Sequence, residues 1–369
     1  MKIALVCDWY LPRVGGIERQ LTLLARHLAL AGHDVTVITP TRGAGDQQDG
    51  VRLVRVPAPL LPKIGLIWTP AGFRALAAAL RAGNFDVVHA HASIISPAAC
   101  AAIYLGPKLG LPAAITVHSI WGRYRHLFDV LERGARWSRW PVAFSAVSER
   151  VASEIRPFVS PRKIEILPNA IAPGEWRLVP QPPAGFVNIA CVMRLAPRKR
   201  GAALLRALRA ALDRLPAGVR VRLQIAGAGP ERGRLERLRH RLGLGENVDF
   251  LGVLDAAGVK ALLARSHFLV LPTTAESFGI AVLEARTAGL PVIAMRESGV
   301  TEFIEHEREG LLADDDRDLA RQIVRLCVDP ALRDAIARHN QRFPVALTWE
   351  RSIALHLALY RRAGELLRD

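Results

Sequence analysis

The sequence is poor in cysteine, has no uninterrupted apolar run of membrane-spanning length and contains no block of basic residues. Its four cysteines stand far apart in apolar segments: Cys7, Cys100, Cys191 and Cys327. Scattered cysteines of this kind indicate small core residues in a reducing compartment and argue against disulfides or a zinc site. The longest apolar stretches, residues 60–73 and 94–105, are broken by proline and polar residues, which argues against a transmembrane helix. We therefore expect a cytoplasmic protein without a bound metal.

Basic charge is abundant but dispersed. The chain has 50 Lys and Arg against 34 Asp and Glu, a net charge of +16. There are 20 basic against 11 acidic residues up to Ile171 and 30 against 23 beyond it, so the surplus is spread over both halves. This charge suits an anionic partner such as a phosphorylated ligand or an acidic membrane surface. It does not favour nucleic acid, because tracking a phosphate backbone needs a clustered basic stripe.

Short apolar segments alternate with stretches of helical spacing, which predicts an α/β protein with doubly wound parallel sheets. A proline-rich segment, residues 167–186, separates two such series. We therefore expect two Rossmann-like domains facing across a cleft, a preferred place for a ligand. The predicted domains are residues 1–170 and 171–345, and residues 346–369 are predicted to form a helix that crosses back to the first domain.

The predicted elements place many residues at strand ends. Strands are predicted at residues 2–7, 34–39, 51–56, 86–89, 113–117, 143–147, 187–192, 220–226, 248–251, 268–272 and 291–294. Helices are predicted at residues 17–31, 202–215, 232–242 and 278–288. Ligands of open α/β sheets bind at the carboxyl ends of the strands, so polar residues that directly follow these strands are the candidate site residues.

Glu276 and Glu284 bracket the start of the predicted helix 278–288, directly after the strand 268–272. If all the intervening steps were helical, the two residues would stand roughly 12 Å apart, at about 1.5 Å per residue. Their carboxylates could not then share a proton, but they could bind hydroxyls at the two ends of an extended ligand such as a nucleotide sugar. An ordinary helix with an acidic first turn would show the same pattern.

Groups at neighbouring strand ends could bind the diphosphate of such a ligand. The backbone N–H groups of Ser277, Phe278 and Gly279 are predicted to form a helix N-terminus, which favours anions. Arg194 and Lys199 follow the predicted strand 187–192 and could neutralise a leaving diphosphate. A solvated basic loop before a helix is the alternative interpretation of these two residues.

Glycines and histidines complete the set of candidates. Gly15 and Gly16 close the loop after the first strand, where a missing Cβ would let a ligand approach the backbone. His118 follows a predicted strand and could hydrogen-bond a sugar, although a histidine that caps the loop would show the same placement. His89 and His91 resemble a metal pair by type, but their i,i+2 spacing without a third ligand nearby favours structural histidines.

Residues 121–140 interleave arginines with aromatic side chains and contain three of the seven tryptophans. Together with the apolar residues of the segment 60–73, they could form a surface at a membrane interface or for an acceptor. A packed helix pair is the alternative.

With these residues assembled, the chain resembles glycosyltransferase family 4 (GT4), whose members have the GT-B fold. The resemblance covers nearly the whole length and rests on Gly15-Gly16-Ile17-Glu18, Asp86-Val-Val-His-Ala-His91, Thr116-Val-His118, Leu167-Pro-Asn169-Ala170, residues 194–201, residues 225–231, residues 248–252 and the Glu-x7-Glu segment. Two places depart from the family pattern. Residues 298–302 differ from the usual Gly-Gly-hydrophobic-Pro-Glu at two positions, and Arg200 stands between the family's Lys and Gly.

The resemblance implies a retaining transferase that moves a hexosyl group from a UDP- or GDP-linked sugar to a hydroxyl of a glycan, lipid-linked or small-molecule acceptor, with no further cofactor. The first domain would then be on the acceptor side, and the second would bind the nucleotide sugar. The family pattern implies these roles: hexose binding for Glu276, ribose binding for Glu284, diphosphate binding for Arg194 and Lys199, sugar binding for His118, and backbone contacts near Gly15, Gly16, Phe278, Gly279 and Ile280.

The opening residues 7–16 and the segment 116–122 are similar to the subgroup that glycosylates phosphatidylinositol or related lipids. Cell-envelope glycan synthesis at the inner face of an anionic membrane is therefore one expectation. Two other functions stay open at this point: a sugar-nucleotide epimerase of the same fold, and a non-enzymatic lipid-surface or interaction protein built on a disabled transferase fold.

Overall fold

The computed structural model describes residues 1–13, 15–43, 45–48, 50–56 and 69–369. The β-strands in these ranges are β1 Lys2–Cys7, β2 Asp34–Thr39, β3 Gln47–Gln48, β4 Val51–Arg55, β5 Val87–Ala92, β6 Ala113–Val117, β7 Val142–Ala146, β8 Ile164–Ile166, β9 Val187–Val192, β10 Val221–Ala226, β11 Val248–Gly252, β12 Phe268–Leu271, β13 Val292–Met295 and β14 Gly310–Ala313. The α-helices are α1 Gly16–Leu30, α2 Pro70–Ala82, α3 Pro97–Lys108, α4 Arg125–Ala135, α5 Glu149–Val159, α6 Pro173–Trp176, α7 Gly201–Leu212, α8 Arg232–Arg241, α9 Ala256–Ala264, α10 Ile280–Thr287, α11 Asp316–Val328, α12 Pro330–Arg342 and α13 Trp349–Arg368. Residues 57–68, part of the predicted interface segment, lie outside the described residues.

The first sheet has eight strands in the order β3-β4-β2-β1-β5-β6-β7-β8. Seven of them are parallel, and the two-residue β3 runs antiparallel to β4 at the edge. Strands β5, β6 and β7 are buried along their whole length, as expected for a parallel sheet covered on both faces. The order reverses between β1 and β5, so the loops after these two strands diverge and leave a crevice for a ligand.

The second sheet has six parallel strands in the order β11-β10-β9-β12-β13-β14. Its order reverses between β9 and β12, which are neighbours in the sheet. The loops after β9 and β12 therefore begin side by side at the carboxyl edge. These loops contain Arg194, Lys199 and Glu276.

The chain divides into two compact units: Met1–Ala170 with Leu347–Asp369, and Ile171–Ala346. The last helix, α13, belongs to the first unit, where it lies against β5, β6 and β7. Its buried side chains include His356, Leu359 and Tyr360. The Tyr360 hydroxyl and His89 Nδ1 are 3.0 Å apart, and this hydrogen bond fixes the helix to the sheet.

The helix after Glu276 begins later than the sequence predicts. It begins at Ile280 instead of residue 278, because Gly279 adopts the left-handed backbone conformation, with φ of 93°, as the N-cap residue. The predicted linker also contains structure of its own. Within it the four residues of α6 form a helical turn that ends in the buried Trp176.

Three of the four cysteines are buried, as expected for small core residues: Cys7, Cys191 and Cys327. Cys100 is exposed, so the prediction of a core cysteine is wrong at this position. The reason is its place on α3, where it lies one turn before the exposed Tyr104 while the alanines between them are buried.

Candidate active site

Lys199 and Glu276 form an ion pair at the point where the strand order of the second sheet reverses. The Lys199 Nζ and a Glu276 carboxylate oxygen are 2.6 Å apart, and the two side chains are only 17% and 14% exposed. The pair follows from the topology, because one residue comes after β9 and the other after the adjacent β12. Low exposure strengthens the attraction between the two charges relative to a pair in bulk water.

Arg200 fastens the two loops that carry this pair. Its backbone is left-handed, with φ of 56°, which is uncommon for a residue with a side chain. Its guanidinium donates to the Pro272 carbonyl oxygen at 3.0 Å and to an Asp316 carboxylate oxygen at 2.6 Å. Arg200, which the family pattern lacks, thus joins the loop after β9 to the end of β12 and to the start of α11.

Two glycines in the loop after β10, residues 227–229, let its backbone pack closely against the segment around Arg194. A Cβ atom at Gly227 would overlap with the Met193 carbonyl oxygen, and one at Gly229 would overlap with the Leu195 carbonyl oxygen. Leu195 N–H in turn donates to the Ala228 carbonyl oxygen at 2.9 Å. Arg194 itself is exposed on this segment. The glycines therefore hold the backbone of the loop while the arginine side chain stays accessible.

The segment from Glu276 to Gly279 lies against the turn that departs from the family pattern. Gly299 N–H donates to the Glu276 carbonyl oxygen at 2.8 Å, and a Cβ at Gly299 would overlap with the Ser277 carbonyl oxygen. Phe278 anchors the segment to the core, because its side chain is buried and packs against Phe303 with ring centroids 5.2 Å apart. The backbone around Gly299 therefore supports the position of Glu276.

The prediction that Ser277, Phe278 and Gly279 form the helix N-terminus is wrong in detail. Gly279 is the N-cap, and its carbonyl oxygen accepts hydrogen bonds from the N–H groups of Val282 and Leu283. The first-turn N–H groups that no carbonyl of the helix accepts are therefore those of Ile280 and Ala281. The left-handed glycine displaces the helix start by two residues. These two N–H groups, and not those of Ser277 and Phe278, are the ones that the start of α10 offers to an anion.

Glu284 is buried within α10, with 5% of its surface exposed. Glutamate is rarely buried to this extent unless it has a partner. The alternative interpretation, that Glu284 is an exposed residue of an ordinary helix, is therefore wrong. Its binding of a ribose stays a prediction.

Gly15 caps α1 in an extended conformation, and Gly16 is the first residue of the helix. A Cβ at Gly15 would overlap with the carboxylate of Glu18, which is buried and also pairs with Arg13 Nε at 3.2 Å. The space beside Gly15 is thus occupied by the chain's own acid, placed favourably at the helix N-terminus. Contacts of Gly15 and Gly16 with a ligand stay a prediction.

His118 lies just beyond β6 and bonds to a second histidine. The distance from His118 Nε2 to His91 Nδ1 is 3.0 Å. Both rings line a small cavity within the first unit, together with Gln20 and Asn169. Burial, and to a lesser degree the proximity of His356, lowers the pKa of His118 to about 3, so the ring is neutral at physiological pH.

His89 and His91 point to one face of β5, as their spacing predicts, with ring centroids 4.2 Å apart. His89 uses both ring nitrogens within the fold, at 3.0 Å from the Tyr360 hydroxyl and 2.7 Å from the Thr116 hydroxyl. Burial holds the pKa of both histidines well below the usual value. His89 is therefore a structural residue of the sheet.

Asp8 is a buried residue at the carboxyl edge that the sequence analysis did not select. Its carboxylate accepts the N–H groups of Ala98 and Ala99 at 2.9 and 3.2 Å, so it joins the end of β1 to the start of α3. Burial raises the pKa of Asp8 to about 7 despite these hydrogen bonds. A carboxylate directly after the first predicted strand was the available signal.

The segment 121–140 combines a packed side and an exposed side. Trp121 is buried and stacks on Phe128 with ring centroids 3.7 Å apart. Three aliphatic side chains of α4 are instead exposed: Leu127 by 50%, Val130 by 65% and Leu131 by 46%. The aromatic residues thus pack against the unit while α4 presents an apolar stripe at i, i+3 and i+4 spacing. Among the helices of the described ranges, none is both long and apolar enough to span a bilayer.

Two family models match most of the chain. The model described as Glycosyltransferase Family 4 matches residues 14–175, and the one described as Glycosyl transferases group 1 matches residues 187–329. A phosphatidylinositol N-acetylglucosaminyltransferase component from Arabidopsis thaliana is 27% identical over 336 residues, which cover 88% of this chain and 73% of that protein. A GDP-mannose-dependent alpha-mannosyltransferase of Mycobacterium tuberculosis is 28% identical over 350 residues, covering 85% and 83%. An uncharacterized glycosyltransferase of Methanocaldococcus jannaschii is 30% identical over 343 residues, covering 84% of each chain.

A solved structure shares the fold. Anabaena HepE, crystallised with UDP and glucose, aligns with a TM-score of 0.76 at 20% identity and covers 97% of this chain and 99% of its own. At this identity the likeness shows the fold alone. The fold expected from the sequence, two Rossmann-like parallel-sheet domains of the GT-B type, is confirmed.

Proposed function

Because this chain belongs to glycosyltransferase family 4, we propose a specific reaction for it: the retaining transfer of a hexosyl group from a UDP- or GDP-linked sugar to an acceptor hydroxyl. The chain is a nucleotide-sugar-dependent glycosyltransferase with the GT-B fold. Its similarities do not favour a sugar-nucleotide epimerase or a disabled transferase fold. The stereochemistry, the nucleotide base and the acceptor are parts of the proposal.

The observation that carries the proposal is the Lys199–Glu276 pair, 2.6 Å apart at the carboxyl edge of the second sheet. A nucleotide sugar offers a diphosphate to the ammonium group and hexose hydroxyls to the carboxylate, so one ligand can satisfy both members of the pair. The exposed Arg194 on the neighbouring segment supplies a second cation for the diphosphate. Glu284, buried one helical turn into α10, is proposed to accept the ribose hydroxyls.

In the proposed step the bond between the sugar C1 and the diphosphate oxygen breaks, and a bond from C1 to the acceptor oxygen forms on the same face. The acceptor proton passes to the departing diphosphate. Negative charge grows on that diphosphate as the C1 bond breaks, and Lys199 and Arg194 are proposed to stabilise it electrostatically. Glu276 holds the hexose through its hydroxyls, and His118 contributes a further sugar contact.

The identity of the donor base and of the acceptor follows the relatives only as a proposal. The Mycobacterium tuberculosis relative is named as GDP-mannose-dependent, and the Arabidopsis relative is named for phosphatidylinositol. UDP- and GDP-linked hexoses are therefore the first donors to test. Phosphatidylinositol, another lipid-linked acceptor or a cell-envelope glycan are the first acceptors.

We propose that α4 holds the protein against an anionic membrane when the acceptor is a lipid. The exposed stripe of Leu127, Val130 and Leu131 offers apolar side chains to the acyl boundary. The exposed Arg136 and Arg139 follow directly and suit anionic headgroups. Basic and apolar groups on one short segment support a peripheral location.

The reaction is tested by incubating the protein with UDP-glucose, UDP-N-acetylglucosamine or GDP-mannose, with and without phosphatidylinositol vesicles. We expect acceptor-dependent release of the nucleoside diphosphate and, by NMR, a product that keeps the anomeric configuration of the donor. Inversion at C1 would contradict the retaining step, and an isomerised sugar without acceptor would indicate an epimerase.

Membrane binding is tested by sedimentation with vesicles that contain or lack phosphatidylglycerol. Val130→Glu should weaken binding to the anionic vesicles about tenfold, because burying a valine side chain in the membrane contributes roughly 1.5 kcal/mol or more to binding. Val328→Glu, at an exposed valine of the second unit, is the matched control. Equal binding of both variants would contradict a role for α4.

A further inference from the structure

In the hydrogen bond between His91 and His118, one ring is the donor and the other is the acceptor. His91 is the fifth residue of β5 and His118 directly follows β6, so the two rings meet at the carboxyl edge of the first sheet. Their nitrogens, His91 Nδ1 and His118 Nε2, are 3.0 Å apart. A hydrogen bond between two neutral imidazoles needs one proton on one of the facing nitrogens, so one ring donates and the other accepts.

The second nitrogen of His91 decides which ring donates. His91 is 3% exposed, and among the described residues its Nε2 has no hydrogen-bond partner. If His91 accepted at Nδ1, its proton would sit on Nε2 as a buried N–H without an acceptor. Among backbone groups, buried N–H donors without an acceptor are rarer than acceptors that lack a donor, and we infer the same preference for this imidazole. His91 Nδ1–H therefore donates to His118 Nε2, and the proton of neutral His118 lies on Nδ1.

The neighbouring His89 is fixed by a separate chain of hydrogen bonds. The Ser145 hydroxyl donates to the Ile115 carbonyl oxygen at 2.9 Å, and a carbonyl oxygen can only accept. The Thr116 hydroxyl must then donate to Ser145 at 2.7 Å, and His89 Nε2–H must donate to Thr116 at 2.7 Å. His89 Nδ1 accepts from Tyr360. His89 thus has its own partners and does not compete for His118.

His356 is fixed in the same way. Its Nδ1–H donates to the Ser352 carbonyl oxygen at 2.7 Å. Burial lowers the pKa of His356 to about 4 and that of His118 to about 3, and it also lowers the pKa of His89 and His91. The four rings are therefore neutral together, and each has one proton whose position follows from its partners.

We propose that His91 is a positioning residue that holds His118 as the neutral Nδ1–H tautomer, so that His118 presents a hydrogen-bond donor to the sugar. This inference rests on the proposed function, in which His118 contacts the donor hexose. The group that His118 recognises is then an oxygen that accepts, such as a hydroxyl oxygen of the hexose. Because its lone pair at Nε2 is occupied by His91, His118 cannot remove the proton of the acceptor hydroxyl. That proton is left to the diphosphate.

The tautomer can be measured without a substrate. The full chain, labelled with 15N in its histidines, is studied by long-range 1H–15N correlation, and the His118 signals are identified by their loss in His118→Leu. We expect the wild-type ring to be neutral with its proton on Nδ1. His91→Leu removes the donor and should move the proton to Nε2 or give a mixture. Tyr360→Phe alters the adjacent His89 and should leave the His118 pattern unchanged.

Kinetics with UDP-glucose and GDP-mannose provide the second readout. His91→Leu should lower kcat/KM about two- to tenfold, the range for losing one hydrogen bond between neutral groups. His91→Asn, whose amide can donate from nearly the same position, should recover most of this loss. It also gives an informative variant if His91→Leu does not fold.

A wild-type His118 protonated on Nε2, or a His118 pattern and kcat/KM unchanged in both His91 variants, would overturn the proposal. The proposed sugar contact fails in a different way. If His118→Leu itself retained full kcat/KM while wild-type His118 had its proton on Nδ1, the sugar contact would be wrong and the tautomer assignment would stand.

Discussion

Replacing Lys199 with methionine removes a cation from the candidate active site while keeping most of the side-chain volume. Lys199 has two expected roles, the ion pair with Glu276 and the stabilisation of the leaving diphosphate. Removing one preorganised electrostatic group of the second kind typically lowers kcat about 10²- to 10³-fold. We therefore expect Lys199→Met to lose two to three orders of magnitude in kcat.

The effect on stability should be much smaller. Exposed ion pairs contribute about 0–1 kcal/mol, whereas breaking a fully buried pair costs about 3–5 kcal/mol. The Lys199 and Glu276 side chains are 17% and 14% exposed, between these limits. Solvent still reaches both groups, so we expect Lys199→Met to lower the free energy of unfolding by about 1–3 kcal/mol. For a unit of this size that corresponds to a fall in Tm of roughly 2–12 °C.

The double variant Lys199→Met/Glu276→Gln separates the two roles. It removes the uncompensated carboxylate, so its Tm should recover towards the wild-type value while its activity stays low. The assay is release of the nucleoside diphosphate, paired with thermal unfolding of the same samples. A kcat within threefold of wild type for Lys199→Met, or a double variant less stable than the single one, would refute the reasoning.

Three further changes test other parts of the structure. Arg200→Gly relieves the left-handed strain at this position but removes the hydrogen bonds to Pro272 and Asp316, so the free energy of unfolding should change by only about 1 kcal/mol while kcat falls several-fold. Asp316→Asn should show a smaller loss of kcat. An unchanged kcat in both variants would contradict a role for Arg200 in positioning the two loops. Gly299→Ala places a methyl group against the Ser277 carbonyl oxygen, so we expect a loss of about 1–3 kcal/mol in urea unfolding and a higher KM for the donor; a normal KM would contradict the support of this loop. His89, His91, His118 and His356 of the first unit have lowered pKa values, so they bind protons mainly after unfolding, and stability should fall as pH drops below about 6.5. The loss at pH 5.5 should be roughly 1.4 kcal/mol for each of His118 and His356. His356→Gln should reduce that loss by about one histidine's share in urea unfolding at pH 7.5 and 5.5, and equal losses in variant and wild type would contradict the assignment.

The strands near the candidate active site were predictable because their residues are nearly all apolar and a polar residue follows each strand within two positions. β1, β6 and β9 agree with their predicted bounds. Strands β3, β8 and β14 were not predicted. β3 and β8 have only two and three residues, too few to show a periodicity, and β14 begins with a glycine, which is typical of a loop. The helix start at Ile280 was missed for a related reason, because a local pattern does not reveal that Gly279 turns left-handed.

The sequence also predicted which strand ends matter, but not how their side chains pair. Lys199 and Glu276 were assigned separate ligand roles, and their direct contact depends on β9 and β12 being neighbours in the sheet. The tie formed by Arg200 depends in addition on α11, which was not predicted. The contact between His89 and Tyr360 joins positions 271 residues apart, a separation over which no spacing argument operates.

The return of α13 to the first sheet has a consequence for the order in which the protein folds as it is synthesised. The helix that covers β5, β6 and β7 leaves the ribosome only after the whole of Ile171–Ala346. Until then His89 lacks the Tyr360 hydroxyl, and the face of the sheet that α13 covers is open to water. The second unit can fold from a continuous stretch of chain, whereas the first must wait for Leu347–Asp369. The unit that contains Met1–Ala170 is thus completed only after the unit that follows it in the chain.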